Sequence, residues 1–470
     1  MAAIITTPFR VLNAENFKED VGSSSVYLGI GKSDVWSTNS SDLTDTIPFI
    51  PGDHQDDING AWSQMLALKK ITSSDISHVV PRYDYADGES YVAWDSKDAD
   101  IYDEKFYVMT SAFKVYKCIQ KGPGAASNEP THTSATIEPN RTDAAAGDGY
   151  RWKYLYTLTT SDSEKFLTKS FMPVKTLAMA PALASTDVNK PQQDSQIASR
   201  DLATAAGIER LVIVNGGSNY DAADNFTIKI EGDGTGASAV DAGVTIVGGA
   251  ITAIAMNAEG TDYTKAKVTV THDNNSGGTA GSGCEVRAVL APSTGHGVDP
   301  VKELGAFFTS VNIQLDGNDG SDFTVGNDFR QITLVKNPYS TGTTVATATT
   351  LKANKYLQLA SGQSTSGFVV DQVIQGGSGA TLAKAYLTEI DDTNKRLYYY
   401  QNDKTGFMPF LNSMTITGTL PSGGSATLAS SHIGAAEVVA GSGQVIFLEN
   451  RDPISRSTTQ IEDIKCIVEF

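Results

Sequence analysis

The sequence predicts a mainly β protein in which a core is interrupted by two small β-modules. Three observations lead there. Apolar and polar residues alternate in short runs, as half-buried strands require. Gly is abundant at 43 residues and, with many Thr, Ser, Asn and Asp, supplies tight turns. A stretch in the middle of the chain repeats itself at a constant offset.

The elements follow in order. Phe9 to Val21 reads as a short helix after Pro8, with Phe9, Leu12 and Phe17 on one side. Val26–Gly31 reads as a strand. Asp56 to Lys70 reads as a helix with Ile58, Trp62, Met65 and Leu66 on one face, capped by Asp56 or Asp57 and ended by Lys69 and Lys70. Lys105 to Lys121 is a long β-like run, residues 122–147 are a polar loop, and Tyr150–Leu158 alternates again. These belong to a first core segment, residues 1–190.

Residues 200–298 form an inserted tandem β-repeat. Ile208 recurs as Ile251 and Tyr220 as Tyr263, each followed by an alternating strand and a glycine-rich turn. One such unit could hardly bury its apolar face alone, so the two are expected to pack together. Residues 303–340 return to core-like strands. Residues 345–432 form a second β-module, where Gly376–Ala383 is echoed by Gly423–Ala429 around Leu397–Tyr400. Residues 436–470 close the core with a buried strand, a polar turn ending on Pro453 and Ile454, and a last strand. The two short core segments must join the first in space.

Composition narrows the function. The net charge of −18 disfavours nucleic acid and anionic membranes and favours basic protein partners, against the simpler reading that acidity only keeps the chain soluble. Cys118, Cys284 and Cys466 lie far apart, which fits a reducing cytoplasm and neither a zinc site nor a redox pair. The N-terminus carries no secretory signal pattern, and no apolar run approaches the roughly 20 residues of a membrane span.

Acidic residues at 84–89 and 95–104 could in principle furnish a glycosidase pair, against the simpler reading of a solvated loop. Asp316–Asp322 resembles a calcium loop but lacks Gly at its sixth position and Glu at its twelfth, so an Asx-rich turn is preferred. Gly232–Gly236 reads as a hairpin turn, since no helix pattern follows it. The six histidines are scattered, and His296 is assigned a structural role. Trp36, Trp62, Trp94 and Trp152 read as core or interface anchors. Arg82, Arg330 and Arg451 each sit beside strand residues and are expected in hydrogen-bonded ion pairs, in the core or at a subunit contact.

Several stretches together resemble one family. They are Val26–Ser37 with Trp36, Val79–Asp84 with Pro81 and Arg82, Val115–Cys118, and Gly147–Leu155 with Gly149, Tyr150 and Trp152. Phe329–Ile332 with Phe329 and Arg330, and Glu449–Ile454 with Glu449, Asn450, Arg451 and Pro453, complete the set. In this order they resemble the T4-like phage baseplate wedge subunit, the gene product eight family. The likeness covers residues 1–178, 303–340 and 436–470 and leaves out both inserts. It implies a β-sandwich core with a few helices and a homodimer. It also implies a place in the tail baseplate of a contractile-tailed virion, assembled in the host cytoplasm beside the equivalents of gene products six, seven and ten. It implies no catalytic residue, cofactor or metal, so the chain is expected not to be an enzyme. The rival reading is a tail-associated carbohydrate-binding adhesin, which needs Tyr220, Tyr263 and Tyr398–Tyr400 exposed in a groove.

Overall fold

The computed structural model describes residues 4–37, 45–138, 147–201, 207–275, 277–319, 322–421 and 423–470. It is mainly β with few helices. Its contacts divide it into two compact units, residues 1–15, 77–309 and 469–470, and residues 16–76 and 310–468.

In the first unit the strands Tyr107–Met109, Lys114–Gln120 and Arg151–Thr157 form an antiparallel sheet. Phe113, at φ 57, takes the left-handed conformation that breaks the long run expected at 105–121 into two strands. Both faces of this sheet are covered. Val115, Leu155 and Tyr156 pack with Val11, Val301 and Phe307 on one core, while Tyr116, Cys118, Trp152 and Tyr154 join a second, aromatic core. The helix Lys190–Asp201 was not foreseen. It presents a row of buried glutamines instead of an apolar stripe. Gln192, Gln193 and Gln196 donate to the carbonyls of Lys175, Ala178, Pro181 and Leu177, so they satisfy a loop that has no ladder of its own.

The repeat packs together, as expected, but with strands exchanged between its halves. Ile208–Ser218 pairs with Ser282–Leu290, Ser238–Val247 with Ala250–Ala258, and Phe226–Gly232 with Ala266–His272. Tyr220 of the first half lies against Gly281 of the second, and Tyr263 of the second against Gly234 of the first. A Cβ on Gly281 would overlap the Tyr220 ring. Gly281→Ala is therefore expected to cost about 1–3 kcal/mol through overpacking, read as a lower melting temperature.

In the second unit the five-stranded sheet runs in the order Thr350–Lys352, Met65–Lys70, Val26–Gly31, Asp328–Lys336, Gln444–Ser455. With the strands Phe308–Asp316 and Ile461–Glu469 it encloses one core of Leu28, Ile30, Ile313, Phe329, Ile332 and Ile464. Beside it, residues 355–434 form a closed six-stranded antiparallel barrel around Leu357, Ile374, Leu387 and Leu397. Asn354 Nδ2 donates to Met65 O at 2.8 Å, and Thr388 Oγ1 to Asn354 Oδ1 at 3.0 Å, tying barrel to sheet.

Three expectations are corrected here. The helix read over 56–70 ends at Gln64, and Met65–Lys70 is a central strand. A run with Leu66, Ala67 and Leu68 all buried fits a strand covered on both faces as well as a helix stripe. Its cap is His54, whose side chain accepts from Asp57 N. The first helix spans Thr7–Ser23, but Phe9 and Leu12 are exposed, and Val11, Ala14 and Val21 are its buried residues. Finally, Glu449–Pro453 is no turn. It continues the strand Gln444–Ser455, which tolerates Pro453 because it is the sheet's edge and bulges opposite Phe329 and Gln331.

Candidate interaction site

The bulged edge strand and the residues after Val26–Gly31 build a site in the second unit. Trp36 Nε1 donates to Arg451 O at 2.8 Å, and Trp36 N to Asp45 Oδ1 at 3.1 Å. Arg330, almost wholly buried, forks onto Asp45 at 2.8 and 2.7 Å, reaches Asp328 at 2.9 Å and donates to Ser33 O at 2.5 Å. This fixed guanidinium satisfies four acceptors in one plane, which a lysine could not do. The Arg330 hydrogen bonds hold the Asp45 carboxyl below the usual carboxylate range, against a smaller opposing effect of burial. Asn450 Nδ2 donates to Phe49 O at 3.0 Å and its Oδ1 accepts from Gln331 at 2.8 Å. Phe49 thereby meets Trp36 edge-on, with ring centroids 5.2 Å apart.

Behind these residues lies a buried polar seam. Lys32 Nζ donates to both Asp34 oxygens at 3.1 Å and to Gln64 Oε1 at 3.1 Å. Tyr400 OH donates to Asp34 Oδ1 at 2.8 Å, and Lys404 pairs with Asp34 at 2.8 Å. Burial pushes the Asp34 carboxyl up, but the two ammonium groups and the Tyr400 hydroxyl outweigh it and hold the group below its ordinary value. Burial draws Lys32 down despite Asp34. In front lies a cavity of about 410 Å3, walled by Trp36, Phe49, Pro51, Ala61 and Leu448, with Asp56, Asp57 and Asp403 among its polar residues.

Of the residues singled out in the sequence, Trp36, Phe329, Arg330, Glu449, Asn450, Arg451 and Pro453 fall in this unit. Only Trp36 and Asn450 line the cavity. Arg330 and Arg451 support it, Phe329 is core, Glu449 is half-buried and Pro453 is exposed. Pro81, Arg82, Gly149, Tyr150 and Trp152 fall in the first unit. Pro81 O accepts from Tyr107 OH at 2.8 Å. Gly149, at φ +82, lets Tyr150 stack on Trp152 with rings 5.7 Å apart. The three arginines differ. Arg330 makes a buried ion pair, Arg82 pairs with Asp84 near the surface at 2.9 Å, and Arg451 contributes its carbonyl. The calcium-like stretch at 316–322 falls partly outside the described residues, while Asp319 pairs with Lys69 and Asp322 accepts from Thr350.

The first unit carries a buried charge cluster that sequence reasoning missed. Lys117 Nζ meets Glu303 Oε2 at 3.0 Å and lies 3.8 Å over the Trp94 ring. His296 bridges Glu209 at 3.2 Å and Glu303 at 3.7 Å. Burial pushes the Glu303 carboxyl up, but Lys117 and His296 outweigh it and hold it at about 2. A carboxyl depressed in the fold stabilises above its unfolded value of 4.5 and stops doing so as pH falls through its folded value. Stability is therefore expected to fall between about pH 4.5 and pH 2, and Glu303→Gln to flatten that part of a stability–pH curve. Asp95, one candidate acid of the glycosidase reading, is occupied by Arg287 at 2.8 Å. Among the described residues, no helix is long and apolar enough to cross a membrane.

Comparison with known proteins identifies the relationship. Residues 3–129 match the family described as Bacteriophage T4, Gp8. The baseplate wedge protein gp8 of Enterobacteria phage T4 is 25% identical over 209 residues, covering 37% of this chain and 60% of that protein. The chain thus spans less than two thirds of the length of this relative. The similarity of this chain is to the T4-like gp8 baseplate wedge family.

Proposed function

We propose that this chain is a structural, non-catalytic subunit of the baseplate wedge of a contractile-tailed phage. It acts as a homodimer that holds the equivalents of gene products six, seven and ten at fixed angles. Residues 200–298 and 345–432 are modules carried on its core. The observation that carries this reading is the match of residues 3–129 to the gp8 family. The internal design fits a rigid spacer: charges are locked in the Lys117–Glu303 and Arg330–Asp45 pairs, and the modules are anchored by Arg287–Asp95 and Asn354.

The adhesin reading loses its basis. Tyr220, Tyr263, Tyr399 and Tyr400 are buried, and the half-buried Tyr398 packs at a tilt against Tyr356, ring centroids 5.4 Å apart, beneath Lys352. The solution mass of the full chain, alone and after mixing with the other candidate wedge subunits of its virus, tests the proposal. A dimer alone and a larger stoichiometric complex on mixing are expected. A monomer that ignores those subunits would overturn the reading.

A further inference from the structure

We infer that the cavity before Trp36 and Phe49 is a socket for an arginine side chain presented by a partner protein; this rests on the scaffold reading above. Four features support it. First, at about 410 Å3 the cavity lies in the range of built ligand sites, roughly 300–1,000 Å3. Second, its walls are aromatic and apolar, with Trp36, Phe49, Pro51 and Leu448, which suit the aliphatic stem of arginine; Lys32 Nζ already lies 4.9 Å over the Trp36 ring, so the exposed Phe49 ring is the face offered to the guanidinium.

Third, the charges favour a cation. Three carboxylates, Asp56, Asp57 and Asp403, and two amines, Lys32 and Lys404, line it, and Asp57 is already paired with His54 at 3.4 Å. Both amines are held at the buried end by Asp34. Among the described residues, Asp56 and Asp403 are exposed and have no ion-pair partner. An arginine entering past them neutralises charge that the fold leaves unpaired, in a chain whose net charge is −18. Fourth, the adjoining segment displays Ile47 and Ile50, 91% and 92% exposed, beside the half-exposed Phe49. Apolar side chains around one charged anchor are the usual make-up of an interface hot spot. The segment is positioned and not slack, because Asn450 holds Phe49 O and Asp57 accepts from Gly52 N.

The test uses the full chain with Asp56→Lys and Asp403→Lys together. Assembly with the other wedge subunits is followed by sedimentation at several salt concentrations, with melting temperature as the folding control. Wild type should assemble, and the variant should bind roughly 10- to 100-fold more weakly with a shallower salt dependence. A photo-cross-linker at position 403 should capture an arginine-containing segment of one partner. If the folded variant assembles like wild type, or the cross-link falls on an acidic or wholly apolar segment, the socket is wrong and the scaffold reading stands. If wild type itself fails to assemble, both fall. Should the variant not fold, Asp403→Asn alone replaces it, with a severalfold loss expected and no loss overturning the socket.

Discussion

Replacing Lys117 with Met is expected to lower stability by about 3–5 kcal/mol, because it leaves Glu303 charged and buried without its main partner. Lys117 is fully buried, and its amine is held by Glu303 and the face of Trp94. The double variant Lys117→Met, Glu303→Gln removes both charges and should recover most of that loss, since the cost lies in the unpaired ion and not in the missing bridge. Denaturant midpoints of the two single variants and the double variant give the coupling directly. Additive losses would mean that the pair does not act as a unit.

The second large effect is expected at Arg330. Arg330→Met strands Asp45 and Asp328 and frees the carbonyl of Ser33, at a cost of about 3 kcal/mol, the lower end for buried pairs because both carboxylates keep some solvent. It also releases Asp45, which holds Trp36 N. The wall of the proposed socket should loosen, so assembly with partner subunits should weaken in step with stability. Arg82→Met is the control. Its pair with Asp84 is near the surface and should contribute no more than about 1 kcal/mol. Equal losses at the two positions would contradict the distinction drawn between them.

That distinction was not legible in the sequence. Arg82, Arg330 and Arg451 each stand beside strand residues, and the pattern treats them alike. What separates them is contact with residues hundreds of positions away, or the bulge that turns Arg451 O toward Trp36. Val26–Gly31 and Asp328–Lys336 were readable although both are buried on both faces, because each is a short run rich in β-branched and aromatic residues. The helix at 56–70 was half misread because Met65–Lys70, buried on both faces like those strands, is built from the strong helix formers Met, Leu, Ala and Lys. The helix Lys190–Asp201 left no apolar signal at all, since its buried face is glutamine and serine.

The site shows the same division. Trp36 and Asn450 were visible as members of family-like stretches, and both line the cavity. The Lys117–Glu303 pair was invisible, because the partners lie 186 residues apart and a lysine in an alternating strand reads as an exposed one. A faint cue existed. Lys117 shares its strand face with Val115 and Ile119, both buried, so its amine had either to escape past them or to find a buried acid.

Electron cryomicroscopy of the intact tail of the parent virus tests the central claim most directly. The account predicts two copies of this chain in each wedge of the baseplate, touching at least two different neighbouring proteins. Finding the chain outside the baseplate, as a terminal fibre or a detachable hydrolase, or absent from the tail, would contradict it.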